Sequence, residues 1–388
     1  MEKLWTKPFI QLTLGTLVLF LSFYLLLPTL PLYIKEMGGN ELHVGLAAGL
    51  FTLSAVIFRP VVGLLVDRFG RRPFILWGLI GFTLSMVLYH WAAGIALLLL
   101  LRIFHGAFWA ISTTAVGTSV TDVVPPSRRG EGLGWFGVAT TAAMAVGPMI
   151  GLWVVDNGSY LSMFMLAACL SVVTLLLAFF TRTAFQPKPA QRLEPFDKTL
   201  MPVIVTLFFL TVSYGGVMTF LPLFAESIEA NAGTFFLVFA LTLTLTRPVA
   251  GKLSDRFGEY RVILISLLVT MAGLIVLVLT TGWLGLISSA VLYGLGFGAA
   301  QPALQAAILR IARPERRGVA TAAFFMAFDL GIGLGSIVLG WISEQAGYGT
   351  LFAVSAVSVA VALLLFALRA KRLLPAPDGQ PALNRTQD

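Results

Sequence analysis

Apolar residues come in runs of about 20 or more along this chain, near residues 9–33, 43–66, 74–93, 95–122, 132–155, 160–181, 199–225, 231–253, 262–281, 283–310, 318–343 and 348–369. Short polar, basic or glycine-marked turns separate them. A helix rises 1.5 Å per residue, so about 20 apolar residues cover the roughly 30 Å of bilayer hydrocarbon. Barrel strands would instead alternate in segments of about ten residues. The pattern predicts an all-α integral membrane protein with a transmembrane helix in each run, twelve in all. The first run is too long for a signal-peptide core and no evident cleavage site follows it, so it is expected to remain a span.

The runs repeat. Arg59-Pro60-Val61-Val62-Gly63-Leu64-Leu65-Val66-Asp67-Arg68-Phe69-Gly70 returns 188 positions later as Arg247-Pro248-Val249-Ala250-Gly251-Lys252-Leu253-Ser254-Asp255-Arg256-Phe257-Gly258, with nine of twelve residues identical. The offset also maps Gly106 onto Gly294, Gly147 onto Gly335 and Trp153 onto Trp341. Six spans repeated as six predict two parallel six-helix bundles, the architecture of many secondary transporters. The expected divisions are residues 1–182 for the first half, 183–198 for a proline-broken linker, 199–370 for the second half and 371–388 for a disordered tail. Deleting the tail is expected to cost little activity.

Composition agrees with the membrane assignment: 58% of residues are apolar and 11% charged, against about 25% charged in soluble domains. The net charge of +8 could suggest a nucleic-acid partner, but its distribution argues otherwise. With the N-terminus inside, 22 of the 26 Lys and Arg fall in cytoplasmic segments, one (Lys35) falls outside and three (Arg59, Arg102, Arg247) lie within spans. That asymmetry follows the positive-inside rule, placing both termini in the cytoplasm of a cell (plasma or inner) membrane, with anionic lipid headgroups as natural partners. Arg59 and Arg247 lie about a turn inside the membrane, where snorkelling to the interface and structural service are the expectation. Cys169, the single cysteine, cannot form an internal disulfide and is expected to be a small core residue.

The segment Gly63-Leu64-Leu65-Val66-Asp67-Arg68-Phe69-Gly70-Arg71-Arg72 between the second and third spans resembles the major facilitator superfamily, whose signature there reads G-x-L-a-D-R-x-G-R-R/K. The resemblance covers nearly the whole chain. It implies the two-bundle fold, no cofactor, no enzymatic activity and a conformational latch built from Gly63, Asp67, Arg68, Gly70, Arg71 and Arg72 with Asp122, and from Asp255 and Arg256 in the second half. There Glu259 replaces the counterpart of Arg71, which is expected to weaken that copy. Ala143-x-x-x-Gly147-Pro148-x-x-Gly151 resembles the superfamily's antiporter motif. Physically it is a stripe of small residues beside a helix-bending proline, allowing a close helix neighbour. A similar stripe recurs as Ala327, Gly331 and Gly335.

Candidate chemistry is sparse and lies within the spans. Asp329 is the carboxylate placed deepest in a span, and so the leading proton site, because a carboxyl exposed alternately to two environments can bind and release a proton. Arg102 resembles the arginine of the superfamily's fourth-helix motif, with His105 in the position usually held by Gln. It shares a face with His105, Gly106, Trp109 and Thr113, which makes Arg102 and His105 the other proton-coupling candidates. The resemblance implies that the first, fourth, seventh and tenth helices line the cavity, which nominates Tyr24, Trp109, Tyr214, Tyr293, Phe297, Gln301 and Gln305. Aromatic walls with few charges suit lipophilic or amphipathic compounds.

There is no phosphate-binding Gly-x-x-x-x-Gly-Lys-Ser/Thr loop, metal-ligand cluster or nucleophile–base set in the sequence. The expected protein is a monomeric proton-coupled exporter of lipophilic drugs or of a secreted metabolite such as a siderophore, with a small molecule, protons and membrane lipids as partners. An uptake symporter or uniporter for a small solute, and a lipid flippase of the same fold, are the alternatives. The halves differ at Arg71 against Glu259, Thr141 against Asp329 and Arg102 against Ala290, and these broken symmetries mark where mechanism is expected.

Overall fold

The computed structural model describes residues 3–181, 198–313, 317–370 and 374. The expected linker at 183–198 and tail at 371–388 fall almost wholly outside them. Eleven long helices make up the described chain: α1 (Lys7–Glu36), α2 (Glu41–Phe69), α3 (Arg71–Leu88), α4 (Ile95–Val123), α5 (Arg129–Asp156), α6 (Tyr160–Phe180), α7 (Met201–Ser227), α8 (Ala232–Phe257), α9 (Glu259–Leu279), α10 (Trp283–Ile311) and α11 (Arg317–Arg369). All eleven are long and apolar enough to cross a membrane.

The twelfth expected span is inside α11. This helix has 53 residues, about 80 Å at 1.5 Å per residue, more than twice a hydrocarbon layer. Gly347 breaks it with φ 77° and ψ 173°, a backbone geometry that costs glycine little. The arms before and after Gly347 correspond to the eleventh and twelfth apolar runs.

Local chemistry sets the other boundaries. Asn40 caps α2 by accepting from His43 N at 3.0 Å, while the His43 ring accepts from Asn40 N. Asn231 caps α8 by accepting from Thr234 N at 3.0 Å. Such caps satisfy amides left open at a helix start. At Gly70 (φ 95°) and Gly258 (φ 83°) the chain turns directly from α2 into α3 and from α8 into α9, so the repeated segments build the same sharp corner.

Within the first half, α1 packs on α5 and α6, α2 on α4, and α3 on α4 and α6; within the second, α7 packs on α11, α10 on α8 and α9, and α9 on α11. The small-residue stripes form two of these seams. A Cβ at Gly147 would stand 2.5 Å from Tyr24 Cβ, and one at Gly151 would strike the Leu25 carbonyl of α1. On α11, a Cβ at Gly335 would stand 2.8 Å from Val212 Cα of α7, and one at Gly331 would strike Thr211. Van der Waals packing of this kind drives helix association where lipid is as apolar as the side chains. Cys169 is exposed on α6, contrary to the expected core position: it falls on the outer face of its helix, where a small apolar thiol is equally stable against lipid.

Between the halves, α2 packs on α11, α5 on α8 and α1 on α7. At the end away from the repeated turns this seam is tight. Asn40 donates to Glu344 at 2.6 Å, Tyr348 donates to Glu41 at 2.9 Å, and a Cβ at Gly49 would lie 2.8 Å from the Gly333 carbonyl. Among the described residues no comparable seam joins α4 or α5 to α10 or α11. The described side-chain bonds between the halves lie at the far end or at mid-depth, and none lies at the turn end. The halves are joined at the far end and apart at the turn end.

Candidate functional site

Two arginines lie at mid-depth between the halves. Arg59 of α2 donates through Nε to Asp329 Oδ2 of α11 at 3.0 Å, and through Nη1 to Thr113 Oγ1 of α4 at 3.4 Å. Arg247 of α8 donates through Nη2 to Gln301 Oε1 of α10 at 3.3 Å, and through Nη1 to Thr141 Oγ1 of α5. The 188-residue offset carries Arg59 onto Arg247, Thr113 onto Gln301 and Thr141 onto Asp329. The two sets are therefore one constellation built twice, each arginine bonded to its own half and to the other. Snorkelling was the expectation for both arginines, and the structure corrects it: each turns into the opposite half, where oxygen partners are available.

Aromatic groups surround this level. Trp109 stacks on Phe23 at 4.5 Å and lies 4.8 Å from Phe20, which is 6.3 Å from Tyr24. In the other half Tyr214 stacks on Phe297 at 4.5 Å, and Phe297 on Tyr293 at 5.9 Å. Tyr293 is held within its own half by a 3.1 Å hydrogen bond with Ser213. The Tyr214 hydroxyl, beside that of Tyr24, makes no hydrogen bond of acceptable geometry. Tyr24 is within electrostatic reach of both Arg247 and Asp329. Gln301 is bonded to Arg247, and Gln305, one helical turn further along α10, is half-buried.

Arg102 and His105 are elsewhere. Arg102 is buried among α2, α3 and α4, donating from Nε to the Ala47 carbonyl at 2.7 Å and from Nη1 to Tyr89 Oη at 3.4 Å, with its guanidinium 4.2 Å from the Phe51 ring centroid. His105 Nδ1 is 2.9 Å from the same tyrosine oxygen. Arg102 and His105 thus pack inside the first half with no described bond to Asp329 or Arg59, whereas Thr113, further along the same face, accepts from Arg59. A backbone carbonyl, a phenol and an aromatic face hold Arg102 there.

The turn region contains a second symmetric pair. Arg71, nearly fully buried, donates from Nε to Asp122 Oδ2 at 2.8 Å, pairs with Asp67 at 3.2 Å and reaches the Val66 carbonyl at 3.2 Å. In the second half Glu259 pairs with Arg310 at 2.5 Å, and the offset maps Arg71 to Glu259 and Asp122 to Arg310. An ion pair is thus present in both halves with its charges exchanged, the second one joining a half-exposed Arg310 where the first holds a buried Arg71. Arg72 donates to the Phe179 carbonyl at 3.0 Å, while Arg68 and Arg256 lie over their neighbours Phe69 and Phe257 at 5.2 and 5.1 Å. The Asp255 side chain lies outside the described residues. The described bonds of this cluster all remain within one half. Sequence reasoning missed the arginine ties, although two in-span cations at symmetric positions were a signal for them.

Two repeated helical halves, sealed at one end, parted at the other and tied at mid-depth through arginines among aromatic walls, define a multi-pass membrane transporter. The chain belongs to the Major Facilitator Superfamily, whose profile matches residues 12–237 and 206–386. It is 25% identical to the staphylopine export protein of Staphylococcus aureus, over 95% of this chain and 98% of that one. It is 27% identical to a multi-drug resistance efflux pump PmrA homolog of Lactococcus lactis, over 88% of this chain and 90% of that one. A crystal structure of the nucleoside transporter NupG superposes with a TM-score of 0.78 at 15% identity, covering 94% of this chain and 100% of that one, a likeness of fold.

Proposed function

We propose that this protein sits in the cell membrane with both termini cytoplasmic and exports an amphipathic small molecule in exchange for protons. The observation that carries the reading is the 3.0 Å bond between Arg59 of one half and Asp329 of the other. A proton on Asp329 removes the negative charge that holds Arg59, so proton binding and the relative position of the halves are linked through one bond. With basic turns on the cytoplasmic side, this reading makes the parted end the cytoplasmic one, the state that loads substrate for export. The export and efflux relatives support the direction, as does the small-residue seam of Ala143, Gly147, Pro148 and Gly151 along α1. The aromatic walls around Trp109, Tyr214 and Phe297 suit a ring-bearing substrate.

The test is uptake of fluorescent amphiphiles into everted vesicles carrying the wild-type protein or Asp329→Asn. The wild type is expected to accumulate substrate when the lumen is acid and to lose it with a protonophore, while Asp329→Asn, expressed at the same level, accumulates none. Gradient-driven accumulation that survives in Asp329→Asn would overturn the reading.

A further inference from the structure

The two arginine constellations match in geometry and differ in charge. Arg59 faces a carboxylate; Arg247 faces only the neutral oxygens of Thr141 and Gln301, and none of the described carboxylates pairs with it. Its Nε is buried without a partner, and the Tyr214 hydroxyl, within its electrostatic reach, has the hydroxyl of Tyr24 beside it. A cation left without counter-charge at mid-depth in a membrane protein is expensive, and donors without acceptors add to that cost. The described bonds leave Nε free to bond a further acceptor, and an anion would answer both that and the missing counter-charge.

We propose that Arg247, with Tyr214, Gln301 and Thr141, is the docking site for a carboxylate on the transported substrate, whose ring rests on the Tyr214–Phe297 stack. The inference rests on the export reading and narrows its substrate class. An anion alone would favour the proton on Asp329, since each reduces repulsion on the other, and that is the wrong sign for exchange. A substrate that also carries an ammonium resolves this, because its cation competes with the proton for Asp329 while its carboxylate sits on Arg247. The class is therefore an aromatic zwitterion.

Three probes on one scaffold separate the charges: 2-naphthylalanine (zwitterion), its N-acetyl derivative (anion) and its carboxamide (cation). Binding to the purified full-length protein is followed by intrinsic fluorescence, without a proton gradient. The wild type is expected to bind the zwitterion most tightly. Arg247→Gln should weaken the zwitterion and the N-acetyl form by about 10-fold or more, as for a lost charge-assisted hydrogen bond, and leave the carboxamide within about 3-fold.

Thr141→Asp guards against misfolding of the arginine variant. It gives Arg247 the counter-charge that Asp329 gives Arg59, so it should fold well yet lose the same carboxylate-dependent affinity. The site is overturned if the wild type binds none of the carboxylates, if it binds the carboxamide best, or if both variants bind the N-acetyl form like the wild type. Carboxylate binding that needs Arg247 without gradient-driven transport would instead sink the export reading and leave the site standing.

Discussion

Thr141 and Asp329 hold equivalent places in the two halves, each accepting from the arginine of the opposite half; one of them carries a charge. On the proposed exchange reading, that difference makes Asp329 the residue to test for coupling. Asp329→Asn keeps an acceptor for Arg59 and removes the titration, so gradient-driven transport should vanish while substrate exchange across vesicles without a gradient persists. Loss of both activities would make Asp329 structural. Arg102 leads to the opposite expectation. Arg102→Ala strips a donor from Tyr89 and the Ala47 carbonyl inside one half, with an expected loss of about 1–3 kcal/mol for unsatisfied buried groups. Thermal unfolding in detergent should shift down while the pH profile of transport stays as in the wild type; a shifted profile would return Arg102 to the coupling machinery. In the sequence, Asp329 stood out as a deep carboxylate and the arginines as in-span cations. Which cation meets which oxygen depends on how one half sits on the other, and no local pattern encodes that.

The helices were legible at the level of elements because 20-residue apolar runs have few other uses, and the last two became one element only because a glycine broke the helix without ending it. The glycine stripes were legible as close-packing faces, but their neighbours were not: spacing says that a backbone approaches α5 or α11, not that it belongs to α1 or α7. Gly331→Leu forces a side chain into Thr211 and the Phe208 carbonyl and should cost roughly 1–3 kcal/mol as overpacking, read as a lower unfolding temperature. Wild-type stability in this variant would mean that α7 and α11 part easily. The turn pair gives a sharper test. Arg71→Glu alone should be strongly destabilising, by about 3–5 kcal/mol, because it sets two carboxylates together in a largely buried site. Adding Asp122→Arg rebuilds the arrangement of Glu259 and Arg310 and should restore much of the folded yield on size exclusion. A double variant no better than the single one would show that the pair depends on its surroundings rather than on its charges.

For the whole molecule, the repeat foretold the two bundles, while the open end was not legible, since both conformations use one sequence. The far-end seam sets it here, through Gly45 and Gly49 against α11. Gly45→Leu would drive a side chain into the Ser336 carbonyl and should wedge that end apart. With Cys169 replaced by serine, a cysteine at buried Ser336 should then react faster with a maleimide, and export should fall at normal expression. Unchanged labelling would mean that the seam yields without opening.

The exchanged charges of Arg71–Asp122 and Glu259–Arg310 also record a history. If both halves descend from one ancestral unit, turning either arrangement into the other by direct replacement takes two changes, and either order passes through a chain with two acids or two bases facing each other. Like charges facing each other in a partly buried site are destabilising, so the two positions of a pair are expected to change together. A comparison that scores positions one at a time would call both sites variable. Scored together, they are the same site.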